Sequence, residues 1–285
     1  MTHSIYKASL WMIIALTGFS FMAVAARDVT SELSTYHILF FRSLFALFII
    51  SFVFSVKGWS YLKLDNYSLH FNRNLAHFIG QYGWFYGIAV LPLADVFALE
   101  FTVPIWTAIA AYFLINESIN RYKLIAIFLG LVGVIIILRP GIEIIHPAAF
   151  AVLLGAASYG VAHTLTRKLT LQTNILSILF FMSFLQLFFS MPATLYDWKF
   201  FSYEVFFYLV LITLLGLIAH YAMSRALALA DATVVIPMDF LRLPLIIVLA
   251  YWLYDEGVDV YLIIGALIML AGNMINVYFN ARNAD

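Results

Sequence analysis

Apolar runs follow one another along this chain with only short polar stretches between them. That succession constrains the fold more than any single motif does. The runs cover residues 6–26, 36–56, 71–91, 94–115, 124–138, 147–167, 173–195, 204–230, 232–254 and 258–280. Most approach the ~20 residues that an α-helix needs to cross the ~30 Å hydrocarbon core of a bilayer. A backbone in hydrocarbon must pair its own N–H and C=O groups, so runs of this length are expected to be helices. The chain is 65% hydrophobic and 11% charged, against about 45–50% and 25% in a soluble domain. The expected fold is therefore an all-α membrane protein of ten transmembrane helices with no soluble domain attached.

The first run carries Lys7 near its start and Ala23-Val24-Ala25-Ala26 near its end, a pattern that also fits a cleaved signal peptide. Its near-full span length and the spans that follow at once favour a retained helix. Lys plus Arg equals Asp plus Glu at 15 each, so no charge excess points to nucleic acid. The absence of cysteine excludes disulfides, thiolate metal sites and cysteine nucleophiles. The basic residues are nevertheless segregated. With the N-terminus inside, ten of them (Lys7, Lys57, Lys63, Arg73, Arg121, Lys123, Arg167, Lys168, Arg225 and Arg282) fall on the inner side, and only Arg27, Arg139 and Lys199 on the outer. Arg42 and Arg242 remain within the spans. Such a bias predicts a multi-pass protein of the inner (plasma) membrane with both termini cytoplasmic.

The stretch from Ala94 to Glu117 returns from Ala230 to Glu256. At one constant offset, Glu100-Phe101 falls on Asp239-Phe240, Ala111-Tyr112 on Ala250-Tyr251, Glu117 on Glu256 and Gly133 on Gly272. Ala94-Asp95 and Ala230-Asp231 stand slightly closer than that offset, so the second copy has gained about one helical turn before its acid, where Pro237 also lies. Two units are expected, residues 1–141 and 142–285. Five helices per unit invert the second relative to the first, the architecture in which substrate binds near the bilayer midplane between repeats.

The ends of the fourth and ninth spans, P-I-W-T-A-I-A-A-Y-F-L-I-N-E (Pro104 to Glu117) leading to Gly133 and P-L-I-I-V-L-A-Y-W-L-Y-D-E (Pro244 to Glu256) leading to Gly265 and Gly272, resemble the EamA-type transporters of the drug/metabolite transporter superfamily. Arg42 in F-F-R-S-L and Arg73 in N-R-N-L look similar too. The resemblance covers nearly the whole chain and implies ten helices as two inverted five-helix repeats, with a transport function. One departure is P-M-D-F-L-R-L-P, which sets Asp239 and Arg242 on one helical face and favours a polar or charged substrate over a plain hydrophobic one.

Charges inside a membrane cost about 2.5–3.5 kcal/mol each on insertion scales and usually mark function. Glu100 has no like-for-like partner on its own helix and is the leading candidate for a substrate ammonium or a proton. Arg42 fits either a substrate carboxylate or a structural pair with Glu100. Asp239 and Arg242 fit either binding or mutual neutralisation across a turn. His77 with Gln81, Tyr159 with His163, and His220 with Ser224 are i,i+4 polar pairs that suit a lined cavity, which Trp84, Trp106 and Tyr82 could wall. Glu117 and Glu256 suit caps or locks at helix ends, and Gly130, Gly133, Gly265 and Gly272 close helix packing.

No H-E-x-x-H, G-x-S-x-G or acidic metal motif occurs, and no cofactor or metal is implied, so the reading is a carrier rather than an enzyme or channel. The expected function is a secondary transporter working by alternating access on a small polar or zwitterionic metabolite such as an amino acid, an amine or a nucleoside-like compound. A broad exporter of amphipathic compounds is the alternative. Its partners are a small-molecule substrate and the lipid bilayer, not nucleic acid, and a homodimer is compatible with this reading. The inner gate is expected near Glu117 and Asp231 and the outer near Asp95 and Glu256.

Overall fold

The computed structural model describes residues 2–63, 65–139, 146–255, 257 and 259–282, and every regular element among them is helical. In chain order the helices are α1 (Thr2–Val29), α2 (Thr35–Lys57), α3 (Tyr67–Val90), α4 (Leu93–Glu100), α5 (Val103–Ile115), α6 (Arg121–Leu138), α7 (Ala148–Thr170), α8 (Ile175–Tyr196), α9 (Tyr203–Leu229), α10 (Ala232–Val235), α11 (Arg242–Tyr254) and α12 (Val260–Arg282). Eight stretches are long and apolar enough to cross a membrane, counting α4 with α5 and α10 with α11 as one each. The other two long helices are α3 and α6. α3 has 24 residues, and its buried His70, Arg73, Asn74, His77 and Gln81 lower its hydropathy because they face protein. α6 has 18 residues, about 27 Å at ~1.5 Å per residue.

Two spans expected to be continuous are broken. The run 94–115 divides into α4 and α5 at Phe101-Thr102, immediately after Glu100. Pro104, near the start of α5, has no N–H to continue the ladder, and the Thr102 hydroxyl donates to the Leu99 carbonyl at 2.9 Å. The run 232–254 is interrupted by a 3₁₀ segment, Ile236–Leu241, that contains Pro237. Pro237 cannot donate to the carbonyl of Thr233 one turn back; that oxygen instead accepts from Asn276 Nδ2 of α12 at 3.0 Å. Both buried acids therefore sit at helix breaks rather than inside regular helix.

Two loops are shorter than expected. Residues 57–70 contain a 3₁₀ turn, Trp59–Tyr61, and the start of α3 at Tyr67, and the turn expected over 92–95 shrinks because α4 already begins at Leu93. Pro140, Gly141 and Glu256 lie outside the described residues.

The most extensive helix contacts are α1 with α9 and α3 with α7, followed by α6 with α12 and α2 with α8. Small residues permit the tightest of these. A Cβ added at Gly133 of α6 would stand 2.7 Å from the Gly265 carbonyl of α12, and one at Gly265 would meet the Gly133 carbonyl at the same distance. At Gly80 of α3 it would stand 2.7 Å from the Tyr159 ring of α7, so this glycine makes the space in which Tyr159 turns toward the centre.

Candidate substrate site

The helices line a central cavity of about 30 Å³, room for no more than a few water molecules. One wall is acidic: Glu100 at the end of α4 and Asp239 in the 3₁₀ segment, with Arg242 at the start of α11 between them. Glu100 does not pair with Arg42. Its Oε2 accepts from Arg242 Nη2 at 3.0 Å and from Trp84 Nε1 at 2.8 Å. Arg242 Nη2 also donates to Asp239 Oδ2, so both carboxylates share one guanidinium. Arg242 is 2% exposed and packs its charge 4.6 Å above the Phe97 ring centre. Asp239 Oδ1 is buried without a hydrogen-bond partner. The two acids, distant in sequence, meet through an arginine that the sequence alone pairs only with Asp239.

Most of the rest of the lining comes from α1, α3, α7 and α9, with Gln186 of α8 behind it. Arg42 of α2 is 4% exposed. Because a guanidinium can only donate, it faces the side-chain oxygen of Gln81, with Nη1 at 3.0 Å. The Gln81 amide nitrogen then donates to Gln186 Oε1 at 2.5 Å, and Gln186 Nε2 donates to His77 Nδ1 at 2.5 Å. Arg42 also lies 5.6 Å from the Phe85 ring centre. Among the described residues it has no carboxylate partner. Arg73, 2% exposed, is likewise held by neutral groups, donating to Thr166 Oγ1 at 2.9 Å and Asn74 Oδ1 at 2.8 Å. The buried ionic groups around the cavity, Arg42, Arg73, Arg242, Glu100 and Asp239, thus carry a formal charge of three plus against two minus.

The lining on this side includes Tyr159, His163 and His220. The rings of His77 and His220 are 4.8 Å apart, and the Tyr159 and His163 rings stack at 5.7 Å. The Nε2 atoms of His77 and His220 are both buried without a hydrogen-bond partner.

Of the candidates read from sequence, Glu100, Gln81, Trp84, Tyr159, His163, His220, Asp239 and Arg242 line the cavity, and Arg42 and His77 stand one layer behind it. Trp106, 40% exposed, and Ser224, buried, are not part of the lining, and Tyr82 is 40% exposed. Sequence reasoning misses Gln186, because it is a lone polar residue in an apolar stretch of helix whose i,i+4 neighbour, Ser190, is too weak a signal to draw attention to it.

Polar contacts tie helices together in two places outside the cavity lining. In one, the Glu117 carboxylate accepts from Ala232 N at 3.0 Å, Thr233 N at 3.2 Å and the Thr233 hydroxyl at 2.8 Å, capping α10. Asp231 beside it lies 3.9 Å from Lys123 and 3.7 Å from Arg167. In the other, the Tyr254 hydroxyl donates to the Val24 carbonyl at 3.0 Å, and Arg139 pairs with Asp259 at 2.7 Å.

A bundle of long apolar helices around a small interior lined by buried charges has the make-up of a membrane carrier. The family comparison is consistent with this: a model of the EamA-like transporter family matches residues 6–139 and again 146–278. The chain belongs to that family and is a multi-pass membrane transporter. It is 26% identical over 271 residues to a protein of Rickettsia bellii named an S-adenosylmethionine uptake transporter, covering 94% of this chain and 92% of that one. It is 27% identical over 281 residues to a riboflavin transporter of Rhizobium johnstonii, covering 93% and 89%. A solved crystal structure superposes with a TM-score of 0.77 at 15% identity, covering 98% of this chain and 99% of that one, which shows the fold alone.

Proposed function

We propose that the chain is a secondary transporter that carries a small zwitterionic metabolite, of the amino-acid or nucleoside-bearing amino-acid kind, across the inner membrane. The observation that carries this reading is the bipolar cavity, with Glu100, Asp239 and Arg242 on one side and the Arg42-backed amides and histidines on the other. Buried charges of both signs are costly unless they meet a partner. A ligand bearing an ammonium and a carboxylate supplies one for each wall. The Rickettsia relatives' named substrate, S-adenosylmethionine, joins an amino-acid group to a nucleoside, and the Trp84, Tyr159 and Phe19 rings offer faces for a base. These charges weigh against a broad exporter of amphipathic compounds.

The architecture in this proposal is ten transmembrane helices in two inverted halves, residues 1–141 and 142–285, with both termini cytoplasmic. In its support, exchanging the halves turns the contact of α1 with α9 into that of α7 with α3, the two largest in the molecule. The mechanism is alternating access. The cavity, about 30 Å³, is too small for such a substrate, so in this reading substrate enters only after one set of end contacts opens. Uptake of labelled S-adenosylmethionine, methionine, adenosine and riboflavin into proteoliposomes tests the proposal. Saturable uptake of a zwitterion, lost in Glu100→Gln, is the expected result; no saturable uptake of any of the four would overturn it.

A further inference from the structure

We infer that Arg42, Gln81, Gln186 and His77 form a one-way hydrogen-bond line whose free end, His77 Nε2–H, stands directly behind His220 of the cavity lining, and that the two histidines together are the carboxylate subsite, reached once the cavity widens to admit substrate. This rests on the zwitterion reading above and deepens it. The direction of the line is fixed at its first member. A guanidinium has five donors and no acceptor, so Gln81 must offer it oxygen. Gln81 then has only its NH₂ left for Gln186, whose oxygen accepts. Gln186 in turn has only its NH₂ left for His77, whose Nδ1 accepts. An imidazole that accepts at Nδ1 carries its proton at Nε2. The tautomer of His77 is therefore dictated from Arg42, three side chains away.

The Nε2–H so produced has nothing to donate to, although His77 is 0% exposed. His220 Nε2, 5% exposed, is equally unpartnered, and the two rings are 4.8 Å apart. Buried polar atoms in native proteins are nearly always paired, so the orphaned His77 Nε2–H, with a second unpartnered ring nitrogen beside it, marks a place where an acceptor belongs. The chemistry selects an anionic oxygen. Arg42 has no carboxylate among the described residues, and hydrogen bonds in a chain polarise one another, so its charge is felt at the far end. Across the cavity Asp239 Oδ1 is an orphan of the opposite kind, an acceptor without a donor. A bound zwitterion is thereby oriented with its carboxylate toward His77 and His220 and its ammonium toward Asp239 and Glu100.

Gln186→Glu tests the line sharply. A glutamate at 186 accepts where glutamine donates, so it draws the proton of His77 to Nδ1 and leaves Nε2 as an acceptor, repelling a carboxylate. In protein labelled with ¹⁵N-histidine and held in nanodiscs, the His77 signals, assigned with His77→Asn, should show the Nε2–H tautomer in the wild type and the Nδ1–H tautomer in Gln186→Glu. Titrated S-adenosylmethionine should move the wild-type Nε2 signal at a Kd about 10-fold or more below that of its decarboxylated counterpart, and Gln186→Glu should erase the difference. A wild-type Nδ1–H tautomer overturns the relay whatever the transport result. The expected tautomer with equal affinity for the two compounds, or with neither moving His77, overturns the carboxylate subsite, while the four-compound uptake assay independently decides the carrier reading. A Gln186→Glu protein that keeps both the tautomer and the preference overturns the inference as a whole.

Discussion

Glu117→Ala should open the end of the bundle that this residue ties. The carboxylate accepts three hydrogen bonds from Ala232 and Thr233. Two of these come from backbone N–H groups at the start of α10, which no earlier helical residue can satisfy. Hydrogen bonds to a charged group contribute about 1.5–3 kcal/mol each in protected sites. Glu117 is only partly buried, so water replaces part of the loss. The total is then about 2 kcal/mol, similar to the upper range for loss of a helix cap. At about 1.4 kcal/mol per tenfold, that raises the open-to-closed ratio roughly 30-fold. The readout is alkylation of a cysteine introduced by Met223→Cys, a cavity-lining position 5% exposed, in a chain that has no cysteine of its own. A membrane-impermeant maleimide should label Met223→Cys up to about 30-fold faster when Glu117→Ala is added, and Glu117→Gln, which keeps an acceptor, should lie between. Equal rates in all three, with folding intact, would refute the idea that this cap holds the cavity shut.

Arg242→Met removes the guanidinium shared by Glu100 and Asp239 and leaves two buried carboxylates unpaired, which should cost about 3–5 kcal/mol and show as a large drop in thermal stability; Arg242→Met combined with Glu100→Gln and Asp239→Asn should recover much of it. Gly133→Val forces a branched side chain against the Gly265 carbonyl and should destabilise by at least about 1–3 kcal/mol in a thermal melt, with little change if α6 and α12 separate readily. Asp197, just beyond the end of α8, accepts from the Tyr36 hydroxyl at 2.8 Å, which with Lys199 holds its carboxyl below the ordinary value. A depressed acid adds stability above its unfolded pKa and loses it as pH falls through the folded one, so Tyr36→Phe should flatten the acid limb of the stability curve below about pH 4. Thermal melts across that range check it.

The helices are legible in the sequence because each span needs a long apolar run, and the polar stripe of α3 because His77, Gln81 and Trp84 recur at helical spacing. The buried acids are legible as charges where charges are costly. Their partners are not. Glu100 meets Arg242 from a distant part of the chain, a contact set by how α4 and α11 pack, which no local pattern encodes. Gln186 escapes for the same reason, since its value comes from Gln81 and His77 on another helix. The helix breaks are only half visible. Pro237 announces one, but the means by which it is tolerated, Asn276 taking up the freed carbonyl of Thr233, lies on α12.

The imbalance of three buried arginines against two buried carboxylates has an electrical consequence. A membrane potential acts on charge that moves through it, at about 2.3 kcal/mol per elementary charge per 100 mV. Under alternating access the empty carrier holds one net positive buried charge in that field, Arg73 behind the cavity included, each time it changes face. A bound zwitterion adds nothing to the total, so loaded and empty carriers feel the voltage alike. A substrate with one further cationic centre doubles the load, and inside-negative potential then favours its inward passage. Current recorded across a planar bilayer during transport would thus report the charge of the cargo.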